Sequence, residues 1–190
     1  MQPGCAGKSG GSPTFEDRSD AGRRPSDRVA ALDLHDPVVY ALPRGGVPVA
    51  APISERLHAP LGRLVVGGSG TGAAGRVARR ESTELERRRI LCCGDRQPVL
   101  ATGRVAVVVD DGIATGATIR AALAEVRRQC AAQTVIAVPV APARLVAELG
   151  DEADRVVVLK SAPAFWAIGP FYRDFHHHSD AETADLLGEF

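Results

Sequence analysis

The sequence predicts an α/β fold in which a parallel sheet is flanked by helices, and three observations lead to this expectation. Short apolar runs rich in valine alternate along the chain with segments of helical spacing, a pattern typical of parallel sheets covered on both faces. The stretch from Val105 to Thr118, VAVVVDDGIATGAT, passes from an apolar run through two acids and a glycine-containing loop into a helical pattern. A chain of 190 residues is long enough for one such domain with a sizeable core.

The chain begins with a tail, an interrupted helix and a first strand. Residues 1–14 are mostly small or polar, and we expect them to be disordered. Residues 15–34 have helical spacing, but Pro25 lies inside this segment and is expected to break or kink the helix. The run PVVYAL predicts a strand that leads into the loop Pro43-Arg44-Gly45-Gly46.

Further alternating elements follow this loop. The segment VPVAAPISERLH has helical spacing, and its Pro52 predicts a late start or a kink. The remaining elements, in order, are a strand in LGRLVVG, a pliable segment GSGTGAAG, a charged helix in RVARRESTELERRRI, a short strand in ILCCG, the strand from Val105 and its helix, a strand in QTVIAVPV, a helix from about Pro142 to Leu149 and a strand in RVVVLK.

The C-terminal part differs in composition from the rest. We divide the chain into the tail, a core at 15–160 and a C-terminal segment at 161–190, because aromatic residues are concentrated in SAPAFWAIGPFY at the start of that segment. Ser179-Asp180-Ala181-Glu182 has the form of a capping box and predicts a final helix.

The loop after the central strand has the chemistry of a ribose 5-phosphate site. Small residues allow backbone N–H groups to approach a ligand closely, and a helix start favours an anion without any lysine. Asp110 and Asp111 precede these residues and can accept hydrogen bonds from sugar hydroxyls. The residues expected at the phosphate are Gly112, Ala114, Thr115, Gly116, Ala117 and Thr118.

The text VVVDDGIATGAT resembles the phosphoribosyl pyrophosphate (PRPP) motif of type I phosphoribosyltransferases. The loop PRGG resembles the pyrophosphate loop of that family, in which Arg44 would grip pyrophosphate oxygens and Gly45 and Gly46 would let backbone amides face them. Together with FEDRSDAGRR and AFWAIGPFYRDF, these motifs make nearly the whole chain from Phe15 similar to uncharacterised bacterial phosphoribosyltransferase-domain proteins. The resemblance implies the type I fold, with a small hood formed by 161–190.

The resemblance also implies a reaction. Type I transferases pass through an oxocarbenium-like ribose as pyrophosphate leaves, so catalysis depends on orientation and on charge stabilisation. A magnesium ion would bridge the pyrophosphate and the ribose hydroxyls, with Asp110 and Asp111 near it, directly or through water. The hood aromatics either stack on the acceptor base or pack on the core, and these residues are Phe165, Trp166, Phe171 and Tyr172.

Two departures from the family pattern bear on function. Transferases acting on 6-oxopurines carry an acid where this chain has Ala114 and a lysine where it has Ala164, which disfavours hypoxanthine or guanine as the acceptor. The flexible loop expected to close over PRPP is shorter than in relatives and reduced to GGSGTGAAGR. A sensor or regulator that binds phosphoribosyl compounds or nucleotides without catalysis is therefore the alternative function.

Two other patterns resemble ligand sites, but each is better interpreted without a ligand. Gly70 to Gly75 spells G-x-G-x-x-G, but no acid ends a clear second strand at the distance that a dinucleotide site requires. His176, His177 and His178 are adjacent, so their side chains point in different directions and a solvated linker is favoured over a metal site.

The charge balance and the apolar content of the sequence limit the classes of partner that we expect. Lysine plus arginine and aspartate plus glutamate both number 23, so the charge balance gives no reason to expect nucleic acid or an anionic membrane as a partner. No apolar run is long enough to cross a bilayer and the N-terminus lacks the apolar centre of a signal peptide, which favours a cytoplasmic protein. The expected partners are PRPP and a small-molecule acceptor or nucleotide, and a homodimer is left open.

Overall fold

The chain forms a parallel sheet with helices on both faces. The computed structural model describes residues 14–43, 45–64, 99–162 and 167–176, together with Glu182, Thr183 and Leu186. The elements are α1 (Arg18–Ala30), β1 (Pro37–Ala41), α2 (Gly46–Leu57), β2 (Leu61–Arg63), β3 (Val105–Val109), α3 (Ala117–Arg128), β4 (Gln133–Pro142), α4 (Ala143–Glu152), β5 (Arg155–Ala162) and a 3-10 turn (Gly169–Phe171). The five strands are parallel in the order β2-β1-β3-β4-β5, which confirms the predicted architecture.

Each face of the sheet packs against its own pair of helices. In β3, Ala106 and Val108 belong to the core under α3 and α4, whereas Val105, Val107 and Val109 belong to the core under α1 and α2. Side chains alternate between the two faces of a strand. A central strand buried on both sides must therefore be apolar throughout, and this explains the unbroken valine-rich run.

The two helices that contain proline are continuous, so the predicted break or late start is wrong. Helix α1 runs through Pro25, and α2 begins at Gly46 and runs through Pro52. A Cβ on Gly22 would lie 2.3 Å from the carbonyl oxygen of Val49, which shows how closely the two helices approach. An internal proline costs a helix roughly 3 kcal/mol, and burial of the α1–α2 contact offsets this cost here.

The strand order places two loops next to each other. The chain passes from β1 to β2 on one side and then returns to β3 on the other side of β1. In the β1–β3 register Ala41 pairs with Val109, and the N–H of Leu42 donates to the carbonyl oxygen of Val109 at 2.9 Å. The carboxyl ends of β1 and β3 are therefore level, and the crevice at such a reversal of strand order is where open α/β sheets bind ligands.

The N-terminal and C-terminal segments pack together. Phe15 forms a parallel bridge with Tyr172, and the N–H of Arg173 donates to the carbonyl oxygen of Phe15 at 2.8 Å. Phe15, which the sequence placed at the start of the core, thus lies with the predicted hood. We call this assembly the terminal cluster and define it as residues 14–17 and 171–176. Strand β5 continues to Ala162, past the predicted boundary at 160.

Some predictions fall outside the described residues. They concern the tail at 1–13, Arg44, the segment 65–98 with Gly70–Gly75, the charged helix and the ILCCG strand, and the residues Phe165, Trp166, His177 and His178. Glu182, Thr183 and Leu186 are helical, in agreement with the predicted final helix at those positions. Among the described residues, the helices are all too short or too polar to cross a bilayer.

Candidate functional site

Two glycines let the loop after β1 approach the loop after β3. A Cβ on Gly45 would lie 2.1 Å from Oδ2 of Asp111, and a Cβ on Gly46 would lie 2.7 Å from the carbonyl oxygen of Val109. Real Cβ atoms are not found so close to other atoms, so neither position accepts a larger residue without displacement. The structure therefore brings together the two loops that the sequence singled out.

The phosphate end of the β3 loop is open. Gly116 has a φ of 81° and precedes the first residue of α3 without a side-chain cap, while Ala114, Thr115, Ala117 and Thr118 are all exposed. The first N–H groups of a helix have no partner within the helix. In α3, whose first turn lies wholly within the described residues, only the N–H of Ala117 among these first groups has a side-chain acceptor, the hydroxyl of Thr115 at 3.4 Å. This end of the loop therefore offers backbone donors to an anion.

Asp110 directly follows β3, and one of its carboxylate oxygens accepts a hydrogen bond within the loop. Its Oδ1 accepts a hydrogen bond from the N–H of Asp111 at 2.9 Å, and the residue is partly exposed. Burial, together with the neighbouring negative charge of Asp111, raises the pKa of Asp110 to about 8. A carboxyl group with such a pKa holds its proton at neutral pH until a cation or a hydrogen-bond donor arrives.

Asp111 is held inside the protein. It is 8% exposed, and its Oδ2 accepts a hydrogen bond from Nε of Arg18 at 2.8 Å and lies at the same distance from Nη2 in an ion pair. The hydroxyl of Tyr172 donates to the backbone oxygen of Asp111 at 2.6 Å. Burial and the charge of Asp111 raise the pKa of Tyr172, so the phenol keeps this proton. Direct contact of the Asp111 carboxylate with a sugar stays a prediction, and its bond to Arg18 competes with that contact.

The sequence interpretation did not identify Arg18 as part of the site. The signal that it offered is its place directly after the N-cap Asp17, where the positive end of the helix dipole disfavours a cation. An arginine at such a position needs a compensating anion. The anion is Asp111, which lies 93 positions further along the chain, and this separation hides the pair from any local pattern.

Of the four aromatic residues predicted for the hood, Phe171 and Tyr172 lie within the described residues, and both pack against other side chains. The ring of Tyr172 lies 5.4 Å from that of Phe15 and 5.2 Å from that of Phe175, measured between centroids. Tyr172 is only 5% exposed, so its surroundings favour the second of the two alternatives, packing on the core. Phe171 is partly buried against the same apolar group.

The donor set fits a magnesium ion that arrives with a ligand. Groups of three or more potential metal-binding side chains are absent from the described part of the chain. Magnesium is commonly bound through one or two carboxylates together with substrate phosphates, and not by an all-protein cage. Asp110, partly exposed at the end of β3 with Oδ1 held by the loop, is suited to that arrangement.

Comparison with known sequences identifies the family. A model of the phosphoribosyl transferase domain matches residues 23–176. A Mycobacterium tuberculosis H37Rv protein named "Putative phosphoribosyl transferase Rv0571c" is 39% identical over 204 aligned positions, which cover 91% of this chain and 46% of the relative. Its counterpart in strain CDC 1551 matches equally well. The chain thus spans about half the length of these curated relatives.

Comparison with solved structures agrees with the observed fold. The protein TT1426 from Thermus thermophilus is 32% identical and superposes with a TM-score of 0.78 over 92% of this chain and 98% of that protein. A purine phosphoribosyltransferase from Pyrococcus horikoshii Ot3, 16% identical with a TM-score of 0.50 over 83% of this chain and 100% of that one, shares the fold alone. With its five parallel strands and the family match over residues 23–176, the chain belongs to the type I phosphoribosyltransferase family.

Proposed function

We propose that the protein is a magnesium-dependent phosphoribosyltransferase that moves ribose 5-phosphate between PRPP and a nitrogenous acceptor. The observation that carries this proposal is the meeting of the two loops. The uncapped start of α3 at Gly116 and the partly exposed Asp110 belong to one loop, and the glycines of the other loop lie against it. A phosphate, a sugar diol and a pyrophosphate therefore find complementary groups in one crevice.

Each group has a separate task in this proposal. The backbone N–H groups from Thr115 to Thr118 hold the 5-phosphate, assisted by the helix dipole. Asp110 accepts a hydrogen bond from a ribose hydroxyl, and this ordering of the sugar limits the geometries open to the reacting carbon. Arg44 and the amide of Gly45 receive the departing pyrophosphate, whereas the N–H of Gly46 already donates to the carbonyl oxygen of Leu42 at 2.9 Å. Magnesium, when bound, supplies neutralisation of the pyrophosphate charge.

The acceptor approaches from the hood side. Ile168 packs close to Gly112, where a Cβ would lie 3.0 Å from its Cγ2, so this part of the loop is covered by an apolar group. Phe165 and Trp166, which precede Ile168 in the chain, are the aromatic residues proposed to stack on a planar nitrogenous base. The class of acceptor inferred is therefore a flat heterocycle, without selection for a 6-oxopurine.

A second candidate is a phosphoribosyl or nucleotide sensor without catalysis. Asp111 is already paired with the Arg18 guanidinium at 2.8 Å, so Asp110 is the acid of the pair that is left to attract a cation into the crevice. Such a site has less attraction for a magnesium ion than two free carboxylates have. This observation favours binding without metal-assisted loss of pyrophosphate.

One comparison tests the two candidates. PRPP and a set of nucleoside monophosphates are titrated by calorimetry with and without magnesium, and pyrophosphate release is then measured over a panel of nitrogenous bases. Turnover with one base that requires magnesium supports the transferase. Binding of PRPP or a nucleotide without turnover of any base supports the sensor, and absence of binding by all of these ligands contradicts both.

A further inference from the structure

Arg18 is a buried cation that binds two separate parts of the protein. Its side chain is 4% exposed and its Nε and Nη2 both lie 2.8 Å from Oδ2 of Asp111. Its Nη1 donates to the carbonyl oxygen of His176, and its guanidinium carbon lies 3.9 Å from the centre of the Phe175 ring. The planar fork of a guanidinium can satisfy several acceptors at once. Arg18 therefore joins the β3 loop to the terminal cluster.

The acid end of the loop is held at both side chain and backbone. Tyr172 of the terminal cluster donates its hydroxyl to the backbone oxygen of Asp111 at 2.6 Å. Asp111 is therefore held through its backbone by Tyr172 and through its carboxylate by Arg18. Asp110 has only its neighbour's N–H as a hydrogen-bond donor among the described residues. The two adjacent acids consequently have different environments: Asp111 is 8% exposed and paired with Arg18, whereas Asp110 is partly exposed.

Movement of the Asp111 carboxylate would disturb the second loop as well. Its Oδ2 already lies 2.1 Å from the place where a Cβ of Gly45 would be, so the loop after β1 packs against this carboxylate. A buried carboxylate that loses its cation must gain a proton or turn toward water. Either change alters the contact on which the relative placement of the two loops depends.

We propose that Arg18 is a positioning residue of the sugar site, which fixes Asp111 against the terminal cluster so that Asp110 is presented to the ribose hydroxyls. This inference rests on the proposed function, because it concerns how the same site is organised. Arg18 lies before the range 23–176 that matches the family model. Its role therefore comes from the contacts of this chain and not from the matched motif.

The test compares Arg18→Met with Arg24→Met. Arg24 is on the same helix, and its side chain is 48% exposed and ion-paired with Asp20 at 2.8 Å, so it controls for loss of a helix arginine. PRPP affinity is measured by calorimetry well below the unfolding temperature of each variant. We expect Arg18→Met to bind about tenfold more weakly, as for loss of a charge-assisted contact, and Arg24→Met to bind as the parent does.

Arg18→Lys keeps the measurement informative if Arg18→Met does not fold. Lysine retains the charge but lacks the fork that reaches Asp111 and the His176 carbonyl together, so we expect an affinity between those of the parent and Arg18→Met. A purely structural role would lower the unfolding temperature while the folded variants bound PRPP normally. PRPP binding by the parent with unchanged affinity in both folded Arg18 variants overturns this inference and leaves the proposed function standing.

A double-mutant cycle tests whether Arg18 acts through Asp111. We expect Asp111→Asn to weaken PRPP binding about as much as Arg18→Met, and the double variant to bind no more weakly than either, because residues in one network are not additive. Additive losses overturn the proposed route through Asp111. Failure of the parent itself to bind PRPP overturns the proposed function, and this inference with it.

Discussion

The two ends of the β3 loop differ in what surrounds them. At the phosphate end, Thr115, Ala117 and Thr118 are exposed, and the start of α3 has no side-chain cap. At the acid end, Asp111 is buried, ion-paired and bonded to the hood through its backbone. One continuous motif thus contains a half that is open to a ligand and a half whose groups already contact other parts of the protein. Ligand affinity should respond to changes in the first half directly and in the second half through the rest of the fold.

Substitution of Gly116 tests the open half and should have the largest effect. Gly116→Val adds side-chain atoms where the φ is 81° and where a Cβ would lie 3.0 Å from Nη1 of Arg120. The backbone must rearrange, because residues with a Cβ rarely adopt this angle, and the N–H groups then cease to converge. We expect affinity for ribose 5-phosphate to be abolished, as measured by calorimetric titration.

Gly103→Val is the matched control for Gly116→Val. Gly103 has a φ of 71° with nothing within 4 Å of an added Cβ, so this variant carries similar backbone strain away from the site. It should lose stability in thermal denaturation and keep the parent's affinity. Normal binding by a folded Gly116→Val variant would contradict the assignment of the phosphate to this loop.

Asp110→Asn tests the partly exposed acid and should have the next largest effect. The amide removes a charged acceptor from the crevice, and loss of a hydrogen bond to a charged group costs about 1.5–3 kcal/mol. PRPP affinity should fall by that amount at a pH above about 8, where the parent's carboxyl is ionised. Unfolding by urea serves as the control, since the variant should be at least as stable as the parent. Parent-like affinity at high pH would remove Asp110 from the sugar site.

The pH dependence of stability tests the environment of Asp110. Burial raises the pKa of Asp110 from 3.8 to about 8, so between these values the folded protein holds a proton that the unfolded chain has released. Folding stability therefore decreases as the pH rises through this window. Urea unfolding of parent and Asp110→Asn should diverge with increasing pH up to about 8, with the variant the more stable. Parallel curves would show that this carboxyl is not perturbed.

Thr118→Ala should give the smallest effect. Thr118 is exposed in the first turn of α3, and its hydroxyl adds one neutral hydrogen bond worth about 1 kcal/mol to a phosphate that backbone groups already hold. Affinity for ribose 5-phosphate should fall only several-fold in the same titration. Thr102→Ala is the control, because its hydroxyl bonds the Gln129 carbonyl at 2.8 Å and not the loop. A loss as large as that of Gly116→Val would mean that side chains, and not amides, hold the phosphate.

The sequence by itself determined the sheet and the identity of the main loop. The valine-rich β3, the loop from Asp110 to Gly116 and the start of α3 are contiguous, so their chemistry is readable from local order. Apolar alternation also predicted the parallel sheet, because strands buried on both faces must be apolar throughout. Those signals depend on neighbours in the chain and need no knowledge of distant contacts.

The tertiary structure alone decided how the acids are used and where the helices continue. Asp111 meets Arg18 across 93 positions and Tyr172 across 61, and no local pattern encodes such pairs. Helix α1 likewise continues through Pro25 because α2 packs against it, a contact that outweighs local propensity. The physical reason is the same in both cases. The free energy of buried contacts between distant residues exceeds the conformational preferences of the individual residues.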